Sequence, residues 1–345
     1  MGDPNFQAEN HYTSCFYLKQ WSSGGKIWAY QLLVQNPKVP HWKQKSPAAV
    51  AKLRHLYTRT EKGVATDEVE RWFGREFETP AASAIRKAVS DERLTPDDWY
   101  VLIRFLAAQD LRTPRSYFED MARWDKTLQN LLKETLDSSI QKISEVTKAG
   151  QALPTAFPRN PSDMPFRVIQ DREAGKIGVE VLVGRELWMS QMKRSLNRTA
   201  KVLHQHHWTI LAPPKGMSWL TSDNPVIHLN FRSASDYKLE RAWAKRRMNI
   251  MLPLGPQHLL FTQVGERSAL RGTRIGEEQA SLIRRVTAQN AFRLVFADNP
   301  DPDVAQFRRR REDADEYQAE RQYWAAWHGK QSEAEESFGG DRGTD

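Results

Sequence analysis

The chain has 345 residues, 51 of them basic and 43 acidic, for a net charge of +8. With 39% apolar and 27% charged residues, and no apolar run near the roughly 18 residues that a bilayer-crossing helix needs, the composition is that of a water-soluble globule and excludes a membrane span. Residues 1–10 have neither a basic start nor an apolar stretch, so no secretory leader is expected. The single Cys15 excludes an intrachain disulfide and a cysteine metal cluster, so the expected location is the cytoplasm.

Residues 1–10 are polar and small and read as a disordered start. His11-Tyr12 follows, then Phe16-Tyr17-Leu18-Lys19. A histidine before an aromatic stretch is either a core side chain with one satisfied nitrogen or a proton carrier near neutral pH. Lys26 to Tyr30, bulky and β-branched after Gly24-Gly25, predicts a strand. Val69, Trp72, Phe73 and Phe77 recur at helical spacing, and Thr79-Pro80 reads as an N-cap with proline at the first helical position. Thr95-Pro96-Asp97-Asp98 is a stronger start, because Thr95 can accept from the Asp98 amide and two carboxylates sit at the positive end of the dipole. Its helix carries Trp99, Leu102, Ile103 and Leu106 on one stripe. Gln109 continues that stripe and Arg112 lies one turn on. A buried amide or guanidinium is costly unless paired, so this pair either ties down loops or clamps an anion. Thr113-Pro114 starts a long amphipathic helix through Tyr117, Met121, Trp124 and Leu128, ended by Gly150 and Pro154.

Ala152 to Asp163 reads as a loop or hinge, and a helix is expected over Val181 to Leu203. His204, His206 and His207 follow. The first and second are expected on one strand face, without a third zinc ligand nearby. Strands are expected at Trp208–Leu211, Ser218–Leu220, Val226–Leu229, Ile250–Leu252, Leu259–Phe261 and Phe292–Phe296, with a helix over Glu277–Ala288. Between two of them stands Thr221-Ser222-Asp223-Asn224-Pro225, a tight turn that either holds itself by side-chain bonds or presents Ser222 and Asp223 at the end of a sheet. It lacks the glycines of a nucleophile elbow. A last helix carries Val304, Phe307, Tyr317, Trp324 and Trp327, and residues 329–345 read as a disordered tail. Two basic clusters, Arg241 with Lys245, Arg246 and Arg247, and Arg308 to Arg311, are solvated faces or phosphate contacts. Helices segregated before strands with short turns give an α+β class: a helical N-terminal half packed on a mainly antiparallel sheet from the C-terminal half, one domain over residues 11–328.

His11-Tyr12 with Phe16-Tyr17-Leu18-Lys19 resembles the His-Tyr-Val-Pro-x-x-Tyr-Leu start of a widespread, mostly bacterial family of uncharacterised proteins. Thr13-Ser14 replaces its Val-Pro. Arg112-Thr113-Pro114 resembles that family's Arg-Thr-Pro helix end. Thr221-Ser222-Asp223-Asn224-Pro225-Val226 resembles its Thr-Ser-Asp-x-Pro-Val turn, and Leu252-Pro253-Leu254 a further strand. The order agrees over roughly residues 10 to 300. The resemblance carries no reaction. It implies that His11, Gln109, Arg112, Ser222 and Asp223 belong to one site.

A histidine, an arginine, a carboxylate and a basic surface together point to a phosphate-containing substrate. The expected function is a hydrolase, in its sharpest form a nuclease, with His11, Asp223 and Ser222 as catalytic or metal-binding groups, and Arg112, Gln109 and Asn224 holding the substrate. A divalent metal is the candidate cofactor and nucleic acid the candidate partner. A second acidic ligand is wanted beside Asp223, for which Glu70 and Glu76 stand as candidates. The alternative is a non-catalytic module binding nucleic acid or protein, in which the same residues form a structural network. The residues say nothing of oligomeric state.

Overall fold

The computed structural model describes residues 6–61, 64–148, 165–171 and 176–340. The expected α+β class holds, and its two largest sheets are antiparallel throughout. Five strands form one sheet in the order Thr209–Leu211, His258–Gln263, Asn249–Gly255, Ile227–Ser233, Asp236–Leu239. The Asn249–Gly255 strand is buried along its whole length, which is why Ile250-Met251-Leu252 reads as a continuous apolar run rather than an alternating one.

The second sheet departs from the expected division into a helical first half and a stranded second half. Its order is Thr221–Ser222, Leu294–Ala297, Ile27–Gln31, Trp42–Lys45, so an N-terminal strand lies between a C-terminal one and its own neighbour. The other strands before residue 67, such as Glu9–His11, Lys52–Arg54 and Arg59–Glu61, are three residues or shorter. Pieces that short carry no period from which to read them. Ser218–Leu220 is not a strand. The Trp219 amide donates to Pro256 O at 2.7 Å and its carbonyl accepts from Trp21 Nε1 at 2.8 Å, so this stretch is pinned by single bonds and not by a ladder.

Thr95 caps as expected. Its hydroxyl accepts from the Asp98 amide at 3.2 Å and the Asp98 carboxylate accepts from the Thr95 amide at 2.8 Å, a reciprocal box at the head of helix Pro96–Leu111. Thr113 likewise accepts from Ser116 N at 3.2 Å and heads helix Pro114–Lys148. Thr79 is not a cap. Helix Glu68–Phe73 continues through a π turn over Gly74–Glu78 into helix Thr79–Val89, with Thr79 itself in helical geometry. Pro80 has no amide to donate, and the wider turn before it absorbs that missing bond without ending the helix. The helix expected from Val181 begins at Arg185, because Phe166–Asp171 and Lys176–Val181 pair as an antiparallel hairpin.

The expected disorder at the ends does not hold for the described residues. Asn10 is buried and its Oδ1 accepts from Tyr57 N, and Glu9–His11 pairs with Lys52–Arg54. After a short turn at Val304–Phe307, helix Ala314–Gly340 runs well past residue 329. Its Glu335 grips the fully buried Arg185 at 2.6 Å and its Phe338 is buried. Local composition is polar there because only one face of the helix is covered. The loop or hinge expected at 152–163 lies outside the described residues. No helix among the described residues is long and apolar enough to cross a membrane.

Candidate functional site

The three motif segments meet. Gln109, wholly buried on the apolar stripe of its helix, donates from Nε2 to Tyr12 O at 2.6 Å and accepts at Oε1 from Ser14 N at 3.3 Å. Thr13 Oγ1 donates to Asp223 O at 3.1 Å, and Thr113 Oγ1 donates to Asn224 Oδ1 at 2.9 Å. Arg112 donates to His11 O. All but the Thr113–Asn224 pair use a main-chain atom, so what converges is chiefly the backbone of the segments rather than their reactive groups.

The Asp223 carboxylate is fully buried and accepts three amides, Phe292 and Arg293 at 2.7 and 2.8 Å and Leu294 at 3.0 Å, at the entrance to strand Leu294–Ala297. Burial pushes its carboxyl up to about 6, against the pull of those amides and of Arg308. Ser222 is equally buried, and its Oγ accepts from Asn224 N at 3.2 Å. Asn224 donates to Asn290 O at 3.0 Å, while Asn290 donates back to Asn224 O at 2.8 Å. The side-chain bonds of the turn are therefore spent on its own backbone, on Thr113, on strand Leu294–Ala297 and on helix Glu277–Asn290.

Arg112 sits in a second knot. Its guanidinium lies 4.4 Å from the Phe73 ring centre, donates to Glu78 Oε1 at 2.5 Å and stands 3.8 Å from Glu70 Oε2. Burial opposes its charge, but Glu78, Tyr57 and Glu70 together outweigh burial and hold it firmly protonated. The π turn between Glu70 and Glu78 turns the helix less per residue and so brings both carboxylates round to Arg112. Glu70 also accepts from His11 N at 3.4 Å, and its Oε2 has no hydrogen-bond partner among the described residues. Burial, opposed by Arg112, pushes Glu70 up to about 7. The His11 ring faces Ala48 O at 3.2 Å, and burial holds it below the usual histidine range. Glu70 thus serves Arg112 and not Asp223. Glu76 pairs with neighbouring Arg75 at 2.9 Å on the surface. Among the described residues no three His, Cys, Asp or Glu side chains converge as metal ligands.

A family model with the description Protein of unknown function (DUF4238) matches residues 9–301. The chain belongs to that family. The match spans the three motifs and both knots. Among curated proteins and solved structures nothing matches.

Two pockets gather residues singled out from the sequence with others that were not, Asn224 and Arg241 in the first and His204, His206 and His207 in the second. The first is a small pocket of about 20 Å³ against the Asn224 turn, lined in part by Asp110, His228 and Arg241. His228 Nδ1 faces Ala242 O at 3.2 Å and its Nε2 stands 3.3 Å from Asp110 Oδ1, off the line of a good hydrogen bond. Asp110 Oδ2 is buried without a partner among the described residues. The signal was available, since Asp110 follows Leu102 and Leu106 at four-residue spacing and so lies on an apolar stripe.

The second is a cleft of about 950 Å³ between the head of helix Pro96–Leu111, the end of helix Arg185–Leu203 and the loop at 267–269. Trp99, Tyr100, Trp208, Lys201, His204 and Arg267 line it. The histidines do not share a strand face. His204 caps the helix C-terminus and stacks on Tyr100, centres 4.6 Å apart and planes 9° apart, while His206 Nε2 meets Trp243 O at 2.7 Å. Burial, then Arg104, holds His204 below the usual range, so it is a neutral plane in the wall. Of the basic clusters, Arg241 is spent on Ser116 and Asp120, Arg308 on carbonyls closing helix Glu277–Asn290, and Arg310 on Val39 O and Pro37 O. Those three are fasteners rather than the solvated faces the spacing suggests.

Proposed function

We propose that the protein is a binding module for nucleic acid, with the motif residues as its structural network and the cleft as its site. The observation that carries this is the pairing, in one cleft, of three aromatic side chains with the exposed cations Lys201 and Arg267. Its volume is at the upper end of ligand clefts, about 300–1,000 Å³. Aromatic faces take bases and cations take phosphates. On this reading Gln109, Arg112, Ser222, Asp223 and Asn224 act at a distance, by fixing the backbone that carries the helix Pro96–Leu111 and the sheet behind it. The test is a titration of the full chain with a mixed-sequence, labelled oligonucleotide. Binding is expected. Charge reversal in the double variant Lys201→Glu, Arg267→Glu is expected to weaken it at least tenfold. Undiminished binding in that variant would sink the cleft as the site.

A second reading keeps the hydrolase and rests on Asp110. An unpaired, buried carboxylate oxygen in a pocket with room for about one water is the arrangement of a general base whose proton donor is that water. Labelled RNA and DNA incubated with and without divalent metal test it. The expected result is cleavage that is lost in Asp110→Asn and retained in His11→Ala. No cleavage under any metal, or cleavage indifferent to Asp110, ends it.

A further inference from the structure

We infer that the cleft takes unpaired strands and not duplex. This rests on the reading of the cleft as a nucleic-acid site, and it follows from which surfaces are offered. Tyr100 keeps 49% of its surface exposed although His204 stacks on it and Arg104 Cζ stands 5.7 Å from its ring centre. A flat ring laid on the uncovered part would lengthen a stack that the protein has begun. Trp99 and Trp208 stand in the same lining, and Trp208 is fixed there by the bond from its Nε1 to Leu203 O at 2.8 Å. Bases within a duplex have both faces covered by their neighbours and show only their edges in the grooves. A single strand turns its base faces outward, and each one stacked on an aromatic ring is gained without regard to sequence.

The charges agree. Duplex binding draws on a broad field of cations along two backbones. Here Arg241, Arg308 and Arg310, members of the two runs that looked capable of this, are committed to carboxylates and carbonyls outside the cleft lining. The cleft itself offers Lys201 on the helix end and Arg267 on the facing loop, neither with an ion-pair partner among the described residues. Two cations suit a short stretch of one backbone, in which stacking rather than charge provides most of the affinity.

The experiment measures anisotropy of three end-labelled twelve-residue probes against the full chain: single-stranded RNA, single-stranded DNA of the same sequence, and the corresponding DNA duplex. Both single strands are expected to bind at least tenfold more tightly than the duplex, with either sugar preferred. The slope of log affinity against log salt is expected to be shallow, about −1.4 for two phosphate contacts on a single strand. Tyr100→Leu, a half-exposed position where folding is readily confirmed by circular dichroism, is expected to weaken single-strand binding about tenfold and leave the salt slope unchanged. Lys201→Ala is expected to reduce the slope by about half, and Trp208→Leu, read for loss of single-strand affinity at an unchanged slope, stands in should Tyr100→Leu misfold. Duplex bound as tightly as single strand, or with a steep slope, overturns the inference while leaving a nucleic-acid site in place. Failure of all three probes to bind overturns both.

Discussion

Asp223→Ala is expected to destabilise the protein by about 3–5 kcal/mol, because it leaves three partly buried amides without an acceptor at the mouth of a central strand. Asp223 itself is wholly buried, so water does not simply take the place of the lost carboxylate. Asp223→Asn retains one oxygen and the side-chain volume, so an intermediate loss is expected. It also keeps the experiment readable if the alanine variant does not fold. Urea unfolding of the three proteins gives the comparison. A loss below about 1 kcal/mol in the alanine variant would mean that the carboxylate is not a structural post, and would return it to the list of reactive groups.

The second large effect is a dependence of stability on pH that originates at Glu70. Its carboxyl is pushed up to about 7 in the folded chain, while in the unfolded chain it titrates at the ordinary value of about 4.3. Between these the folded state holds a proton that the unfolded state has released. This contribution is therefore fully present below the unfolded pKa and is lost as pH rises through the folded one. At about 1.4 kcal/mol per unit the span amounts to about 4 kcal/mol at most. Asp223 and other groups shape the same profile, so the informative quantity is the difference between wild type and Glu70→Gln. That difference is expected to be small at pH 4 and to grow in favour of the variant by pH 8, read from thermal or urea unfolding at each pH. A difference that does not change with pH would show that Arg112, 3.8 Å away, keeps Glu70 ionised in both states.

What could be read from the residues, and what could not, divides along a physical line. The caps at Thr95 and Thr113 were legible because a cap is a local event, decided within four residues. Gln109 and Arg112 were legible as misplaced polar groups on an apolar stripe, and both prove to be buried fasteners. Their partners were not legible, because Tyr12, Ser14 and Glu78 meet them through space and mostly through main-chain atoms. Thr79-Pro80 misled because a proline can be absorbed by a wider helical turn as well as by a helix start. Of the cleft, only His204, His206 and His207 stood out in the residues, as a zinc candidate lacking a third ligand and not as a cleft wall. Trp99, Lys201 and Arg267 come from three distant segments, and none of them is unusual in its own neighbourhood.

The interleaving of the second sheet has a consequence for how the chain reaches this structure. Ile27–Gln31 can find one neighbour, Trp42–Lys45, soon after it is made, but its other edge stays open until Leu294–Ala297 has been synthesised. Trp28 and Tyr30 on that edge belong to an aromatic-rich strand of the kind that pairs with other chains when left exposed. Such distant pairing closes late and slowly. A ribosome-bound fragment ending before residue 294 would therefore carry an unfinished sheet, the state in which a newly made chain of this family most needs a chaperone.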